Sequence, residues 1–81
     1  MIVRVRLFAR AKDLAGTDVV SVELPTNAAV SELRRRLADK VPALAALLRR
    51  SALAVNEEFA RDDQVLTGEA EVALLPPVSG G

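Results

Sequence analysis

Cysteine and histidine do not occur anywhere in these 81 residues, and tryptophan and tyrosine are missing as well. Without cysteine there is no disulfide, no thiolate nucleophile, no side-chain persulfide and no iron–sulfur ligand. Without histidine the usual general base at neutral pH and the commonest metal ligand are gone. The aromatic side chains are Phe8 and Phe59 alone, too few for the stacking platforms that hold single-stranded nucleic acid. Eleven Lys+Arg balance eleven Asp+Glu, so the basic excess of a nucleic-acid binder is also lacking. No apolar run approaches the roughly 20 residues that cross a bilayer. The start, Met1-Ile2-Val3-Arg4, alternates apolar with charged rather than forming a signal peptide. The expectation is a soluble, cytoplasmic protein with neither nucleic acid nor membrane as a partner. Any group it transfers must ride on Lys12 or Lys40, on a hydroxyl or carboxylate, or on the main-chain end.

What is present suffices for one small core. Hydrophobic residues make up 51% of the chain, which argues against disorder, and the length fits a single domain. A chain this short buries only about 60–65% of its unfolded surface. Little room is left for an enclosed active-site cavity, which favours a carrier or binding module over an enzyme.

Residues 2–8 alternate, with Val3, Val5 and Leu7 on one face and Ile2, Arg4, Arg6 and Phe8 on the other, as in a half-buried strand. Residues 10–15 predict a helical turn closed by Gly16. Residues 18–24 alternate again through Val20, Val22 and Leu24, with Val19 out of phase; this second strand pairs antiparallel with the first. Pro25 ends it. Val30, Leu33, Leu37 and Val41 then form the apolar stripe of a helix, which Pro42 stops, and residues 43–50 add a shorter helical stretch. Strands are expected at 52–56, very briefly at 65–66, and at 71–75, with Glu57, Glu58 and residues 61–63 as polar turns around Phe59. One helix stripe and one sheet face have only each other to cover. With the first and last strands adjacent, the fold class is α+β, a ubiquitin-like β-grasp with a small mixed sheet on one main helix.

Arg34, Arg35 and Arg36 flank the buried Leu33 and Leu37, and read as a solvated helix face. Arg49 and Arg50 complement a helix end, and Asn56 forms a turn. The pairs Glu57-Glu58 and Asp62-Asp63 have nothing to hold a shared proton or metal. Phe8 and Leu75 fall on the sheet face opposite the core, and with Phe59 they make a candidate docking patch.

The chain finishes Pro76-Pro77-Val78-Ser79-Gly80-Gly81. Glycine loses the most backbone entropy on ordering and has no side chain to pack, so Gly80 and Gly81 serve no folding purpose. Such a strip can thread a channel too narrow for a Cβ and present a bare carboxylate there. The prolines stiffen its base. Residues 1–75 are therefore expected to form the β-grasp domain and residues 76–81 a flexible tail, although short Gly/Ser-rich ends also occur without function.

Read whole, the sequence resembles the family of small, sulfur-carrying subunits of molybdopterin synthase. The likeness lies in Val3-Arg4-Val5-Arg6-Leu7-Phe8-Ala9-Arg10, in Leu14-Ala15-Gly16, in Ala54-Val55-Asn56, and above all in the run from Glu71 through Pro76-Pro77-Val78-Ser79-Gly80-Gly81. Gly-Gly alone is shared with ubiquitin and other sulfur carriers; the Pro-Pro-Val-Ser-Gly-Gly ending is specific to this family. The resemblance implies that an E1-like enzyme uses ATP to adenylate Gly81, with no cofactor held permanently by the chain. A sulfur donor protein then turns the end into a thiocarboxylate. The tail, Pro76 to Gly81, enters the large synthase subunit and gives sulfur to cyclic pyranopterin monophosphate, within a heterotetramer of two small and two large subunits. Phe8, Phe59 and Leu75 would serve the docking. Two positions depart from the family pattern: Gly68-Glu69-Ala70-Glu71 stands where Asp-Gly-Asp-Glu is usual, and Ala29 stands where a capping Thr is common. A carrier for thiamine, tRNA thiolation or an amino acid remains an alternative, as does an interaction module with an inert tail.

Overall fold

A computed structural model describes residues 1–77; residues 78–81 lie outside the described part. Five strands and three helices follow in the order β1 (Ile2–Leu7), α1 (Ala9–Ala15), β2 (Val19–Glu23), α2 (Val30–Lys40), a 3-10 turn (Pro42–Leu44), α3 (Ala45–Leu48), β3 (Ala52–Val55), β4 (Glu58–Phe59) and β5 (Glu71–Leu75). The strands form one sheet in the order β2-β1-β5-β3-β4. β1 and β5 are parallel neighbours, and every other pairing is antiparallel. This is the expected β-grasp arrangement, with the first and last strands side by side.

Alternation decides which sheet face is covered. Val3, Val5 and Leu7 of β1, Val20 and Val22 of β2, and Val72 and Leu74 of β5 are all buried. They meet the α2 stripe of Val30, Leu33 and Leu37, each fully buried, while Leu44, Leu47 and Leu48 close one end. Val41 does not extend the helix. It stands half-buried at φ −128° and ψ 81° as the C-cap, because Pro42 disfavours helical torsions in the residue before it. Gly16 closes α1 at φ 72°, its N–H donating to the Lys12 carbonyl at 2.9 Å.

Two expectations are corrected. Residues 65–66 are not a strand: Val65 makes a single bridge to Ala29, and Leu66 N–H donates to the Ala28 carbonyl. Its hydrogen bonds go to the entrance of α2, so Leu66 plugs the core from the side. The fourth strand is instead Glu58–Phe59, in a segment read as polar turns. A two-residue loop, Asn56-Glu57, has φ 52° and 70°, the torsions of a tight type I′ hairpin. Asn56 holds it to β5, its Oδ1 accepting the Glu71 N–H at 2.9 Å.

The arginine triplet is less uniform than a solvated face. Arg35 is exposed, whereas Arg34 and Arg36 are half-buried. Arg34 donates to the Leu48 carbonyl at 2.6 Å and to Asp62 at 2.9 Å. Glu32 accepts hydrogen bonds from Arg35 and Arg36, which together hold its carboxyl down at about 2. Lys40 and Arg36 donate to the Ser21 and Glu23 carbonyls on the outer edge of β2. Cations laid over an edge strand discourage further strand pairing.

Ala29 is the N-cap of α2 and offers no side-chain acceptor. The opening N–H groups are met from outside: Val30 donates to the Gln64 carbonyl and Ser31 to the Asp62 carbonyl, both at 2.9 Å. Ala29→Ser would place a hydroxyl three residues before Glu32, completing the pattern of a capping box. It should raise unfolding stability by about 0.5–1 kcal/mol, seen as a higher urea midpoint with an unchanged slope. No gain would show that the loop carbonyls already satisfy the helix start.

Candidate functional site

The site of interest is where β5 leaves the sheet. Its register sets Leu75 beside Ala52 and Ala73 beside Ala54, and Ala54 in turn pairs with Phe59 of β4. Since Val72 and Leu74 point into the core, Ala73 and Leu75 point to solvent, as strand alternation requires. The same alternation brings Phe59 onto that outer face. Ala52, Ala54 and Ala73 carry small side chains there, and Phe59, cross-strand from Ala54, is 78% exposed.

Phe59, Leu75, Pro76 and Pro77 line one shallow hollow of about 460 Å³ together with Ala52 and Arg50. Carbon dominates its walls, and Leu75 and Pro76 are half-buried. Phe8 follows β1 as the N-cap of α1, one residue beyond the Leu7–Leu74 pair; it is 44% exposed and lines a second hollow with Arg6, Lys12, Asp18 and Val19. The docking residues read from the sequence thus divide between two hollows, with Phe59, Leu75, Pro76 and Pro77 in one and Phe8 in the other. Val78, Ser79, Gly80 and Gly81 lie outside the described residues.

Ala9, next to Phe8, has φ 49°. An alanine in the left-handed region costs about 1–2 kcal/mol, and here that conformation turns the chain from β1 into α1. Sequence reasoning did not include Ala52 or Arg50 in the site. Neither carries a mark in the sequence: Ala52 reads as one more small strand residue, and Arg50 as one more helix-end cation.

The Asp62-Asp63 pair is structural. Asp62 meets Arg34, and Arg61 donates to Asp63 at 2.7 Å, holding that carboxyl below its ordinary value. Among the described residues no cluster of three or more carboxylates could hold a metal ion, and no helix is long and apolar enough to cross a membrane. The hydroxyl of the buried Ser51 is committed to the Leu47 carbonyl at 2.6 Å. What this surface offers is contact: a carbon-lined hollow at the root of a narrow peptide.

Comparison with known proteins agrees with that picture. Residues 5–81 match the ThiS family. The chain is 37% identical to the molybdopterin synthase sulfur carrier subunit of Dictyostelium discoideum, covering 96% of this chain and 94% of that one. It is likewise 37% identical to the subunit of that name from Escherichia coli K12, covering 98% and 99%. Among solved structures, SAMP1 from Haloferax volcanii superposes with a TM-score of 0.88 at 28% identity over the whole of both chains. A protein–protein complex of subunits 1 and 2 of molybdopterin-converting factor from Helicobacter pylori contains a chain matching with a TM-score of 0.71 at 26% identity, again over the full length of both. With the family matched almost from end to end and these relatives spanned nearly in full, the chain belongs to the ThiS family and stands within it among the molybdopterin synthase sulfur carrier subunits.

Proposed function

We propose that this chain carries sulfur for molybdopterin synthesis and that its working group is the main-chain carboxylate of Gly81. The observation that carries this reading is the carbon-lined hollow at Phe59, Leu75, Pro76 and Pro77, directly before Val78-Ser79-Gly80-Gly81 in the sequence of a chain without cysteine or histidine. A carboxylate is a poor electrophile. Attack of its oxygen on the α-phosphorus of ATP, inside an E1-like partner, expels pyrophosphate and leaves an acyl-adenylate. Hydrosulfide released by a donor protein then adds to the acyl carbon, AMP departs, and loss of the S–H proton leaves a thiocarboxylate at Gly81. That sulfur is nucleophilic at neutral pH and is delivered to cyclic pyranopterin monophosphate in the large synthase subunit. The partners supply every catalytic side chain, and this chain supplies reach and a docking surface of Phe8, Phe59, Leu75, Pro76 and Pro77. Glycine at positions 80 and 81 lets the backbone approach closely where a Cβ would collide. The Helicobacter pylori complex of subunits 1 and 2 supports a large-subunit partner, and we take the assembly to hold two small and two large chains.

The test is a mass. Arg61 is the last basic residue, so trypsin releases residues 62–81 as one peptide, which contains no methionine. Met1 oxidation, which adds nearly the same mass as oxygen-for-sulfur exchange, therefore cannot mimic the result. After incubation with ATP, an E1-like enzyme and a sulfur source, this peptide should carry sulfur in place of one oxygen. No exchange in the presence of active enzyme would overturn the assignment.

The likeness to small archaeal modifier protein 1 favours a second reading of the same terminus, in which the activated Gly81 carbonyl passes to an amine of another protein. Higher-mass conjugates in a cell extract, lost with Gly81, would mark it.

A further inference from the structure

Charge cancels in sum but is separated along the strands. β1 and β5 run parallel and both finish at the edge from which residues 76–81 continue, and β3 begins at that same edge. Arg6 near the end of β1, Arg10 and Lys12 on α1, and Arg49 and Arg50 just before β3 all stand there, exposed. None of the five forms an ion pair among the described residues. Asp13 and Asp18 are the acids nearby, and Arg6 alone of the five also lines a hollow with Glu69 and Glu71, toward the other edge. The opposite edge is the reverse. Glu23 ends β2, Glu57 and Glu58 occupy the β3–β4 hairpin, and Glu69 and Glu71 open β5, against Arg4 and the Met1 ammonium. Most of the remaining charges neutralise one another beside α2, through Glu32 with Arg35 and Arg36, Arg34 with Asp62, and Arg61 with Asp63.

We propose that the basic edge is a docking surface for a protein partner that carries a rim of carboxylates around the opening that receives residues 76–81, a surface that matters only if, as proposed above, the tail works inside a partner. Arg50 already shares the hollow of Phe59, Leu75, Pro76 and Pro77, so the cations are continuous with the apolar contact. A neutral chain with opposed edges is turned by an acidic rim so that the tail arrives first, and such steering raises association rates by about 10- to 1,000-fold. Exposed rim charges act on the rate of encounter and its salt dependence more than on dissociation. A small phosphate ligand fits less well, because such an anion needs converging donors. Here Arg50 faces a carbon-lined hollow, while Arg6 and Lys12 share theirs with Asp18.

The experiment compares three full-length chains: the native one, a basic-edge variant (Arg10→Glu, Lys12→Glu, Arg49→Glu, Arg50→Glu), and an opposite-edge control (Glu57→Lys, Glu69→Lys). Circular dichroism first establishes that all three are folded. Association with the E1-like enzyme and with the large synthase subunit is then followed by stopped flow at low and high salt. The basic-edge variant should associate about tenfold or more slowly at low salt, with the gap closing as salt screens the charges, and the control should not be slowed. Equal rates for native and basic-edge chains overturn the proposal, as does equal slowing of both variants. Normal association by a basic-edge variant that has lost binding of inorganic phosphate also overturns it, in favour of a small anion. Association is read without turnover, so a native chain that binds but takes up no sulfur sinks the carrier reading alone. A native chain that does neither sinks both.

Discussion

Deleting Gly81 should abolish sulfur uptake while leaving the urea midpoint of the domain where it was. The shortened chain still ends in a glycine carboxylate, so its intrinsic reactivity is unchanged; only its position differs. One residue of extended chain spans about 3.3–3.6 Å, and a reacting atom displaced by as little as 1 Å can cost about a hundredfold in rate. The expected loss is therefore at least that large, measured as oxygen-for-sulfur exchange on the peptide beginning at Asp62. Stability should hold because the buried cluster is complete by Leu74, and Gly81 brings no side chain to it. A chain extended by one residue beyond Gly81 should fail equally, which separates a requirement for position from a requirement for length. Full-rate uptake by either variant would show that the terminal atom is not the one being activated. An interaction module with an inert tail predicts something different again: binding to partners would survive both changes.

How much of this was legible beforehand depended on the kind of signal. Period-two alternation in β1, β2 and β5, and the Val30-Leu33-Leu37 stripe, are repeated patterns that each bury one face, so a single chain reveals them. Adjacency of β1 and β5 followed from strand order and the strong apolar character of both strands, within a fold where one helix and one small sheet have only each other to cover. The β3–β4 hairpin was missed because its turn is Asn-Glu rather than Asn-Gly. Glu57 at φ 70° carries no sequence mark of the positive torsion it adopts, and a two-residue strand is too short to show alternation. Residues 65–66 were misread for the opposite reason. Val65-Leu66 has the composition of a strand, but its hydrogen-bonding partners lie at the α2 entrance, and local propensity does not choose partners. The tail motif and Phe59 with Leu75 were visible as residues. The gathering of Phe59, Leu75, Pro76 and Pro77 into one hollow depended on register, and so did the separation of charge, which needs the parallel direction of β1 and β5 before the two edges can be told apart.

The largest loss of stability should come from Leu33→Ala. Leu33 is fully buried on the middle of α2 and belongs to the single core cluster of the domain. Removing its isobutyl group forfeits transfer free energy and leaves a cavity, together about 2–5 kcal/mol. A chain of this length has a total of roughly 4–12 kcal/mol, and there is no disulfide or second core to fall back on. The urea midpoint should therefore fall by about a sixth at the least and by up to its whole value, with the slope unchanged. Arg35→Ala, two positions along on the exposed side, should move it by no more than about 0.5 kcal/mol. A cost below about 1 kcal/mol at Leu33 would mean that the sheet and α2 do not pack as described. Function then gives a second check on the same residue. Because the docking hollow sits on the sheet face opposite α2, Leu33→Ala should lower sulfur uptake only in proportion to the fraction of chains folded, and cooling or a stabilising osmolyte should restore both together. Uptake that stays low in a fully refolded variant would mean that the change at Leu33, which is fully buried, reaches the docking face through the sheet, against the separation of the two faces described above.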